Sequence, residues 1–255
     1  MPPEWIMGSH SSRFALSAFF ERWVTQIAYP ARCPVCGAVM DHGRTAWCAA
    51  CDSLLGRVSG PFCPICRRFF SGVDADCPSS HSAVFPRAVH ALGVFDQAWR
   101  SVIHAFKYQG YKALAWPLGA LLAESVARHP GPQAIIAVPT DNLKRRERGF
   151  GHAELLARAV AQQTGIPCVS DGLRHTRRIP DQTRLTGPRR MANLKGAFAV
   201  SDASSVDGKT ILVVDDVMTT GATLREAARA IASAGAKSVV GAVVAINLGA
   251  LADGK

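Results

Sequence analysis

The stretch with the most distinctive chemistry is residues 211–224, which reads ILVVDDVMTTGATL. Its aliphatic start predicts a buried strand, whose carboxyl end delivers two adjacent carboxylates, Asp215 and Asp216. A loop rich in hydroxyl groups follows and opens a predicted helix, so its backbone amides would form an anion site. The acids are suited to accept hydrogen bonds from ribose hydroxyls and from the water around Mg²⁺. The pattern therefore predicts a ribose 5-phosphate cradle, with the phosphate bound by Thr219, Thr220, Gly221, Ala222 and Thr223.

A plainer interpretation of these residues is helix capping. Asp215 and Asp216 could cap the helix that follows, and Thr220 and Thr223 could do the same. Two consecutive acids after an apolar strand are costly without a cationic or hydroxyl partner, which favours a ligand site. Threonine capping and phosphate binding use the same geometry and do not exclude each other. The stretch is not a Walker loop, because the Gly-Lys-Ser/Thr element is absent.

Seven of the eight cysteines lie between residues 33 and 77, in three Cys-x-x-Cys pairs and one single cysteine. Two thiolates spaced in this way can reach one tetrahedral Zn²⁺ from a tight turn, and two such turns complete a structural site. We expect the first two pairs to form one site. The third pair would form a second site with the single cysteine, and the nearest candidate for its fourth ligand is a histidine. The first set is Cys33, Cys36, Cys48 and Cys51, and the second is Cys63, Cys66, Cys77 and His81.

Spacing alone leaves other arrangements of these cysteines open. An interleaved arrangement would pair Cys33 and Cys36 with Cys63 and Cys66, although we favour the sequential one. Buried thiols without metal are disfavoured, because so short a segment has too few large apolar residues for its own core. A redox pair is also disfavoured, since no strand is predicted before any of the pairs. Cys168 is expected to be a packed core residue.

The elements that must position the phosphate cradle follow residue 86. Short apolar runs alternate there with helical periodicity, which predicts a mainly parallel α/β sheet flanked by helices, with ligands beyond the carboxyl ends of the strands. The predicted strands are residues 88–95, 134–138, 210–214 and 238–246. The predicted helices are residues 101–108, 113–128, 152–164 and 223–234.

The basic residues are concentrated in residues 144–195, which contain twelve Lys plus Arg and four Asp plus Glu. One cluster follows the predicted strand 134–138 directly and so lies at the ligand end of the sheet. Each guanidinium group there could bind two phosphate oxygens at once. The alternative for any single arginine is an ordinary solvated surface position. This first cluster contains Lys144, Arg145, Arg146 and Arg148.

Composition excludes several protein classes. The chain has 255 residues, a formal net charge of +10 and 48% hydrophobic residues, which is enough apolar material for a proper core and argues against disorder. No run of about 18 uncharged apolar residues occurs, so no membrane-spanning helix is expected. Residues 14–29 are amphipathic and lack the unbroken apolar run of a signal peptide, so we expect a cytoplasmic protein. We expect three parts: an N-terminal amphipathic segment at residues 1–30, a cysteine-rich zinc-binding module at 31–85 and the phosphate-binding sheet domain at 86–255.

The stretch 213–223 resembles the phosphoribosyl pyrophosphate (PRPP) motif of type I phosphoribosyltransferases. The whole chain resembles the ComF family of competence-associated, phosphoribosyltransferase-like proteins, which have an N-terminal zinc-binding module. Similar residues occur at 107–110 (Lys-Tyr-Gln-Gly), at 148–150 (Arg-Gly-Phe) and within 182–193. Two departures are visible: Gly151 and His152 replace a common Asn-Gln, and the fourth cysteine pair is reduced to Cys77.

The resemblance implies a type I phosphoribosyltransferase-like fold and Mg²⁺-dependent transfer of a phosphoribosyl group to an unknown acceptor. Asp215 and Asp216 would be the catalytic pair, which holds the ribose and stabilises the positive charge developing near C1′. The first basic cluster would hold the pyrophosphate. The second basic cluster, residues 174–190, would form a mobile lid over the substrate, and the expected lid residues are Gln182, Arg190 and Asn193. A link to DNA uptake, with competence-machinery proteins as partners, is also implied.

A single-stranded DNA-binding protein with a relic or regulatory PRPP site is the alternative hypothesis. A sequence pI near 9.6 and cysteine turns would suit it, as would aromatic residues such as Trp47, Phe69 and Phe70. A DNA backbone and a phosphorylated sugar present similar chemistry to basic residues. The charge pattern therefore fits both ligands.

Overall fold

A computed structural model of the chain describes residues 32–40, 46–66, 68–69, 86–127, 131–141, 145–147, 149–177 and 192–248. The chain forms two compact units, Met1–Asp52 and Ser53–Lys255. The third cysteine pair therefore belongs to the unit that contains the sheet. The domain boundary near residue 85 stays a prediction, and the segment of residues 1–30 lies outside the described residues.

The described part of the first unit is built from cysteine turns. Arg32 and Val39 form an antiparallel bridge around the first turn, and in the second cysteine pair Cys48 precedes the short helix α1 (Ala49–Asp52), which contains Cys51. Trp47 is only 5% exposed, and its indole N–H donates to Asp52 Oδ1 at 2.7 Å. Trp47 is therefore a packing residue of this unit.

The second unit is an α/β fold with six strands and four α-helices in its described part. Two short 3₁₀ turns, Lys112–Leu114 and Ala203–Ser205, lie between them. In chain order the main elements are β1 (Ala88–Val94), α2 (Gln97–Tyr108), α3 (Ala115–Val126), β2 (Ala134–Ala137), α4 (His152–Thr164), β3 (Leu173–His175), β4 (Phe198–Val200), β5 (Thr210–Met218), α5 (Ala222–Ser233) and β6 (Ser238–Ile246).

A four-stranded parallel sheet with the order β1-β6-β5-β2 forms the centre of this unit. In β6 every residue after Ser238 is buried, as expected for a parallel strand covered on both faces. The predicted mainly parallel sheet is confirmed. Because all four strands run the same way, their carboxyl ends meet at one edge, where the loops after β2 and β5 lie side by side.

Helix α2 begins at Gln97, four residues before the predicted start. Asp96 caps it, since its Oδ1 accepts from the backbone N–H of Trp99 at 2.9 Å. Trp99 is fully buried and packs so closely over Gly93 that a side-chain carbon at Gly93 would collide with the indole ring. The Trp99 indole N–H also donates to the carbonyl of Gly56 at 3.0 Å.

Isolated bridges extend the sheet beyond its outer strands. Phe62 pairs antiparallel with Val89 of β1, and Arg57 pairs with Gly93. On the other side, Cys168 pairs in parallel with Ile135 of β2. Cys168 is therefore part of the sheet margin, half-buried, and burial raises the pKa of its thiol.

A separate antiparallel hairpin of β3 and β4 follows, and the predicted set of strands did not contain it. Leu173 and Phe198 are buried in it, whereas Arg174 is exposed. Three-residue strands are too short for an alternating pattern to stand out. The hairpin lies between α4 and β5 in the chain, and much of the predicted lid segment falls in the sequence between its two strands, outside the described residues.

Candidate phosphoribosyl site

Strand β5 positions both predicted catalytic acids. It continues to Met218, four residues beyond the predicted end at Val214, so Asp215 and Asp216 lie within the strand. Asp215 stays in register with Val243 of β6. Both side chains are partly buried, and Asp215 Oδ1 accepts from the backbone N–H of Asp216 at 2.8 Å. The paired carboxylates are thus fixed at the carboxyl edge of the sheet.

Lys107 provides the cationic partner that such a pair requires. It lies in the last turn of α2, and its Nζ is 2.7 Å from Asp216 Oδ2. The two side chains are only 19% and 16% exposed. Lys107 belongs to the family-like stretch 107–110, but its role depends on the fold, which brings the end of α2 beside β5.

The two carboxylates differ in their ionisation. Burial and, after it, the charge of Asp216 raise the pKa of Asp215, the backbone N–H of Asp216 and the ammonium of Lys107 lower it, and the net result is a pKa of about 7. Asp215 therefore carries a proton in a large share of molecules near neutral pH. Ionisation of Asp215 costs folding free energy.

We expect Asp215→Asn to raise the thermal stability of the protein at pH 8 but not at pH 4. A carboxyl whose pKa is higher in the folded state than in the unfolded state loses stability as the pH rises between the two values, here from about 4 to about 7. At about 1.4 kcal/mol per pKa unit, the gain at pH 8 should be about 2–4 kcal/mol. Thermal unfolding of both proteins across this pH range measures it, and parallel curves would contradict it.

The predicted phosphate-binding loop, residues 219–223, has a backbone geometry suited to an anion. Gly221 is in the left-handed conformation, with φ 79°, directly before the twelve-residue helix α5. A side-chain carbon at Gly221 would lie 2.6 Å from the Met218 methyl group, so both conformation and space favour glycine. The Thr220 hydroxyl accepts from the backbone N–H of Ala222 at 3.3 Å. The first turn of α5 contains no acidic side chain, which suits a bound anion.

The predicted pyrophosphate loop begins beside the acid pair. The backbone N–H of Val138 donates to the Val214 carbonyl at 2.9 Å, so the chain leaves β2 next to Asp215. Arg145 lies in this loop with its guanidinium 3.0 Å from Glu154 Oε1, and Arg146 is exposed. Lys144 and Arg148 lie outside the described residues.

An aromatic cluster joins the predicted pyrophosphate loop to the end of α2. The Phe106 ring is 6.3 Å from the Phe150 ring and meets His152 edge-on at 5.1 Å. The Lys112 ammonium lies 4.8 Å above the Phe150 ring. His152, one of the two departures from the family pattern, is buried and has a packing role here. The cluster therefore places Phe150, the last residue of the family-like Arg-Gly-Phe, against Phe106 at the end of α2.

Hydrogen bonds hold the two ends of the lid segment together. The Arg177 guanidinium donates to the Asn193 carbonyl at 2.6 Å, and the Thr176 hydroxyl donates to the Gly196 carbonyl at 2.6 Å. The backbone N–H of Gly196 donates to Glu226 Oε1 at 2.6 Å. This bond connects the stem of the lid segment, residues 176–177 and 193–196, to α5. Gln182 and Arg190 lie outside the described residues.

The structure brings the four cysteines of the first predicted zinc site together. Their sulfur atoms all lie within 4.8 Å of one another, as the sequential arrangement predicts. Burial opposes ionisation of Cys33, but backbone N–H groups, led by that of Cys48, outweigh it and lower its pKa to about 6. Burial and the neighbouring sulfurs raise the pKa of Cys51. Without a cation, one ionised thiol makes ionisation of its close neighbours unfavourable. A bound Zn²⁺ would stabilise all four thiolates, so the donor set fits zinc. None of the seven described cysteines forms a disulfide.

The third cysteine pair repeats the first turn. The backbone N–H of Cys33 donates to the Ala38 carbonyl at 2.8 Å, and that of Cys63 donates to the Arg68 carbonyl at 2.9 Å. The bridge between Phe62 and Phe69 corresponds to the one between Arg32 and Val39. Cys66 completes this pair, while Cys77 and His81 lie outside the described residues.

Among the helices in the described ranges, none combines the length and apolar character needed to cross a membrane.

Two known protein families match the cysteine-rich region and most of the sheet region of the chain. Residues 147–253 match the phosphoribosyl transferase domain family, and residues 24–80 match the double zinc ribbon domain family. The ribbon match and the four-cysteine cluster support a structural zinc site. The two family matches, together with the observed parallel sheet, confirm the predicted fold class, a type I phosphoribosyltransferase-like sheet with an N-terminal zinc module.

Three relatives resemble the chain over most of its length. Competence protein F of Haemophilus influenzae is 23% identical over 218 residues, covering 82% of this chain and 93% of that protein. DNA utilization protein YhgH of Escherichia coli O157:H7 is 28% identical over 229 residues, covering 84% and 96%. Competence protein ComFC of Bacillus subtilis is 23% identical over 208 residues, covering 78% and 83%. The chain is therefore a homologue of competence protein F in which a double zinc ribbon precedes a phosphoribosyl transferase domain, as the resemblance predicted.

Proposed function

We propose that the protein binds PRPP and transfers its phosphoribosyl group, with Mg²⁺, to an acceptor not yet identified. The observation that carries this proposal is the continuous unit of β5, the Gly221 loop and α5. Two fixed carboxylates at the strand end, followed by an amide-rich turn at a helix start, match the two ends of a ribose 5-phosphate.

Each residue group has a separate role in this proposal. Asp215 and Asp216 accept hydrogen bonds from the ribose hydroxyls and stabilise positive charge as it develops near C1′. The loop of residues 219–223 holds the 5-phosphate. Arg146 is free of Glu154 and can turn to the pyrophosphate, whereas Arg145 must share its guanidinium between Glu154 and the ligand. Catalysis would then be positional and electrostatic.

Mg²⁺ would be held by the pyrophosphate and the ribose hydroxyls, where it would neutralise charge on the leaving group. The residues of the chain act around it: the acid pair orients the hydroxyls, and the lid excludes water from the reacting carbon. The lid contacts we propose are Gln182, Arg190 and Asn193. Zinc in the cysteine module has a structural role and no part in the transfer.

Titration calorimetry with PRPP tests this function directly. We expect PRPP to bind in the presence of Mg²⁺, and ribose 5-phosphate and pyrophosphate each to compete with it, because each fills one half of the site. A protein that releases no binding heat with PRPP, with or without Mg²⁺, is not a PRPP-binding protein.

We expect PRPP and Mg²⁺ to slow hydrogen exchange in residues 176–192. The stem of this segment is tied to α5 through Gly196 and Glu226, so a phosphate bound at the start of α5 should favour the closed lid. Residues 141–149 should be partly protected already in the ligand-free protein, because Arg145 is paired with Glu154. Exchange mass spectrometry measures both regions. Slowing of residues 176–192 by single-stranded DNA, but not by PRPP, would remove the lid from this proposal.

We propose that this function serves DNA uptake or use, which the names competence protein F and DNA utilization protein YhgH support. Competence-machinery proteins are then the expected partners. A cytoplasmic location is part of the proposal, because zinc-binding thiolates persist best in a reducing compartment.

Single-stranded DNA binding is a second candidate function, and its exposed aromatic residues differ in part from those first predicted. Trp47 is buried and cannot stack on a base, whereas Phe69 is 41% exposed and its ring also contacts Phe62 at 5.6 Å between ring centres. Phe70 lies outside the described residues. Tyr108 is instead 61% exposed and Trp116 is 52% exposed, and Lys112 lies between them in sequence. Exposed aromatic rings near basic side chains are the usual platform for unpaired bases.

We expect Tyr108→Ser combined with Trp116→Ser to weaken oligo-dT binding about tenfold or more, since each stacked base contributes about 1–3 kcal/mol. PRPP affinity should change little, because neither ring belongs to the phosphate loop. Fluorescence anisotropy across a salt series measures the DNA affinity. Unchanged affinity together with a steep salt slope would assign DNA binding to the basic residues alone.

A further inference from the structure

The ion pair between Lys107 and Asp216 joins two elements that are far apart in sequence. Lys107 comes from the end of α2, whereas Asp216 comes from β5 at the centre of the sheet. The Nζ to Oδ2 distance is 2.7 Å, and both side chains are mostly shielded from solvent. A shielded pair of this kind is screened by salt much less than a surface pair.

The pair resolves an electrostatic conflict in the proposed site. PRPP carries several negative charges, and two adjacent carboxylates at its ribose would repel it. Lys107 cancels the charge of Asp216, and burial together with the neighbouring charge keeps Asp215 partly protonated near neutral pH. The ribose end of the site therefore stays close to neutral while it keeps its hydrogen-bond acceptors.

The surroundings of Lys107 favour a fixed position for it. The preceding residue, Phe106, is fully buried and packs against Phe150 and His152, so the end of α2 is anchored to the pyrophosphate loop. The Tyr108 ring faces outward and stacks on His104 at 5.1 Å. Of the charged groups around the carboxylate of Asp216, the described residues bring Lys107 and Asp215 into its immediate surroundings.

We propose that Lys107 is a positioning residue of the PRPP site, which acts through Asp216 by orienting that carboxylate and cancelling its charge toward an anionic ligand. This inference rests on the proposed function and adds a residue to it. In this role Lys107 need not touch the ligand. Its effect on binding should then depend on the presence of Asp216.

A double-mutant cycle on PRPP affinity with Mg²⁺ tests this role. We expect Lys107→Met to weaken binding about tenfold or more, and to change affinity less than about twofold in an Asp216→Asn background, because contacting residues show strong coupling. Lys107→Arg keeps the charge and should stay within about threefold of the parent, because an arginine also pairs with carboxylate. Arg100→Met is the matched control, since it removes a positive charge from the same helix about two turns away and should leave PRPP affinity unchanged.

Each outcome separates the inference from the function on which it rests. A parent protein that binds no PRPP overturns both. A parent that binds PRPP, with equal losses for Lys107→Met in the two backgrounds, overturns the inference alone, because Lys107 would then contact the ligand directly. Lys107→Met binding as tightly as the parent also overturns it. Should Lys107→Met fail to fold, Lys107→Gln enters the same cycle and is judged by the same criteria.

Discussion

Loss of zinc is expected to unfold the cysteine unit and leave the sheet unit folded. Replacement of Cys33 by serine, or treatment with a chelator, should have this effect because the four sulfurs lie within 4.8 Å of one another and the described core of the unit is small. Binding of a structural Zn²⁺ contributes about 10–16 kcal/mol in isolated zinc-finger peptides, so little folded structure should survive its removal. Metal analysis and hydrogen exchange of residues 32–52 measure the effect.

Cys168→Ser is the matched control for the zinc prediction. Cys168 lies at the margin of the sheet, far in sequence from the cysteine cluster, so this variant should keep its full zinc content. Purified parent protein with less than half an equivalent of zinc under reducing conditions would contradict the prediction. So would a Cys33→Ser protein whose residues 32–52 exchange as slowly as those of the parent.

Replacement of both Asp215 and Asp216 by asparagine is expected to lower PRPP affinity about 100-fold or more. At pH 8, where Asp215 is mostly ionised, each lost hydrogen bond from a ribose hydroxyl to a charged acceptor should cost about 1.5–3 kcal/mol of binding free energy. The fold should persist, because the change also removes the cost of burying a charge at Asp215. Calorimetry with PRPP and Mg²⁺, together with thermal unfolding, measures both effects.

Asp202→Asn provides the control for this double variant. Asp202 caps the 3₁₀ turn Ala203–Ser205 before β5, and asparagine caps equally well. Its PRPP affinity should match that of the parent. A double variant that still binds PRPP like the parent would show that the acid pair does not hold the ribose, and one that unfolds would show that the pair is part of the packing.

The long, strongly patterned elements of the sheet unit could be predicted from sequence. Helix α4 and strand β6 have the predicted bounds, because thirteen residues of helical periodicity and nine nearly continuous apolar residues leave little ambiguity. The predicted end of strand β5 is four residues too early, because its last residues include two acids and an apolar pattern ends before them. Those acids remain in the strand because β6 pairs with it and Lys107 offsets the charge of Asp216.

The parts that could not be predicted depend on contacts distant in sequence. The hairpin of β3 and β4 is too short to show a period, and its strands meet across the whole lid segment. The role of Lys107 depends on where α2 ends relative to β5. Trp47 looked available for stacking until the fold placed it against Asp52. In each case the residue type was visible in the sequence, but its neighbour was not.

The bridges from Phe62 to Val89 and from Arg57 to Gly93 have a consequence for the aggregation of this chain. An outer strand with unpaired backbone groups is a template for pairing with other molecules. Residues 57–62 cover that side of β1, and Cys168 pairs beside β2 in the same way at the opposite margin. A chain shortened to begin at β1 would expose an apolar parallel strand along its length. The region of the third cysteine pair therefore also protects the sheet against intermolecular strand pairing.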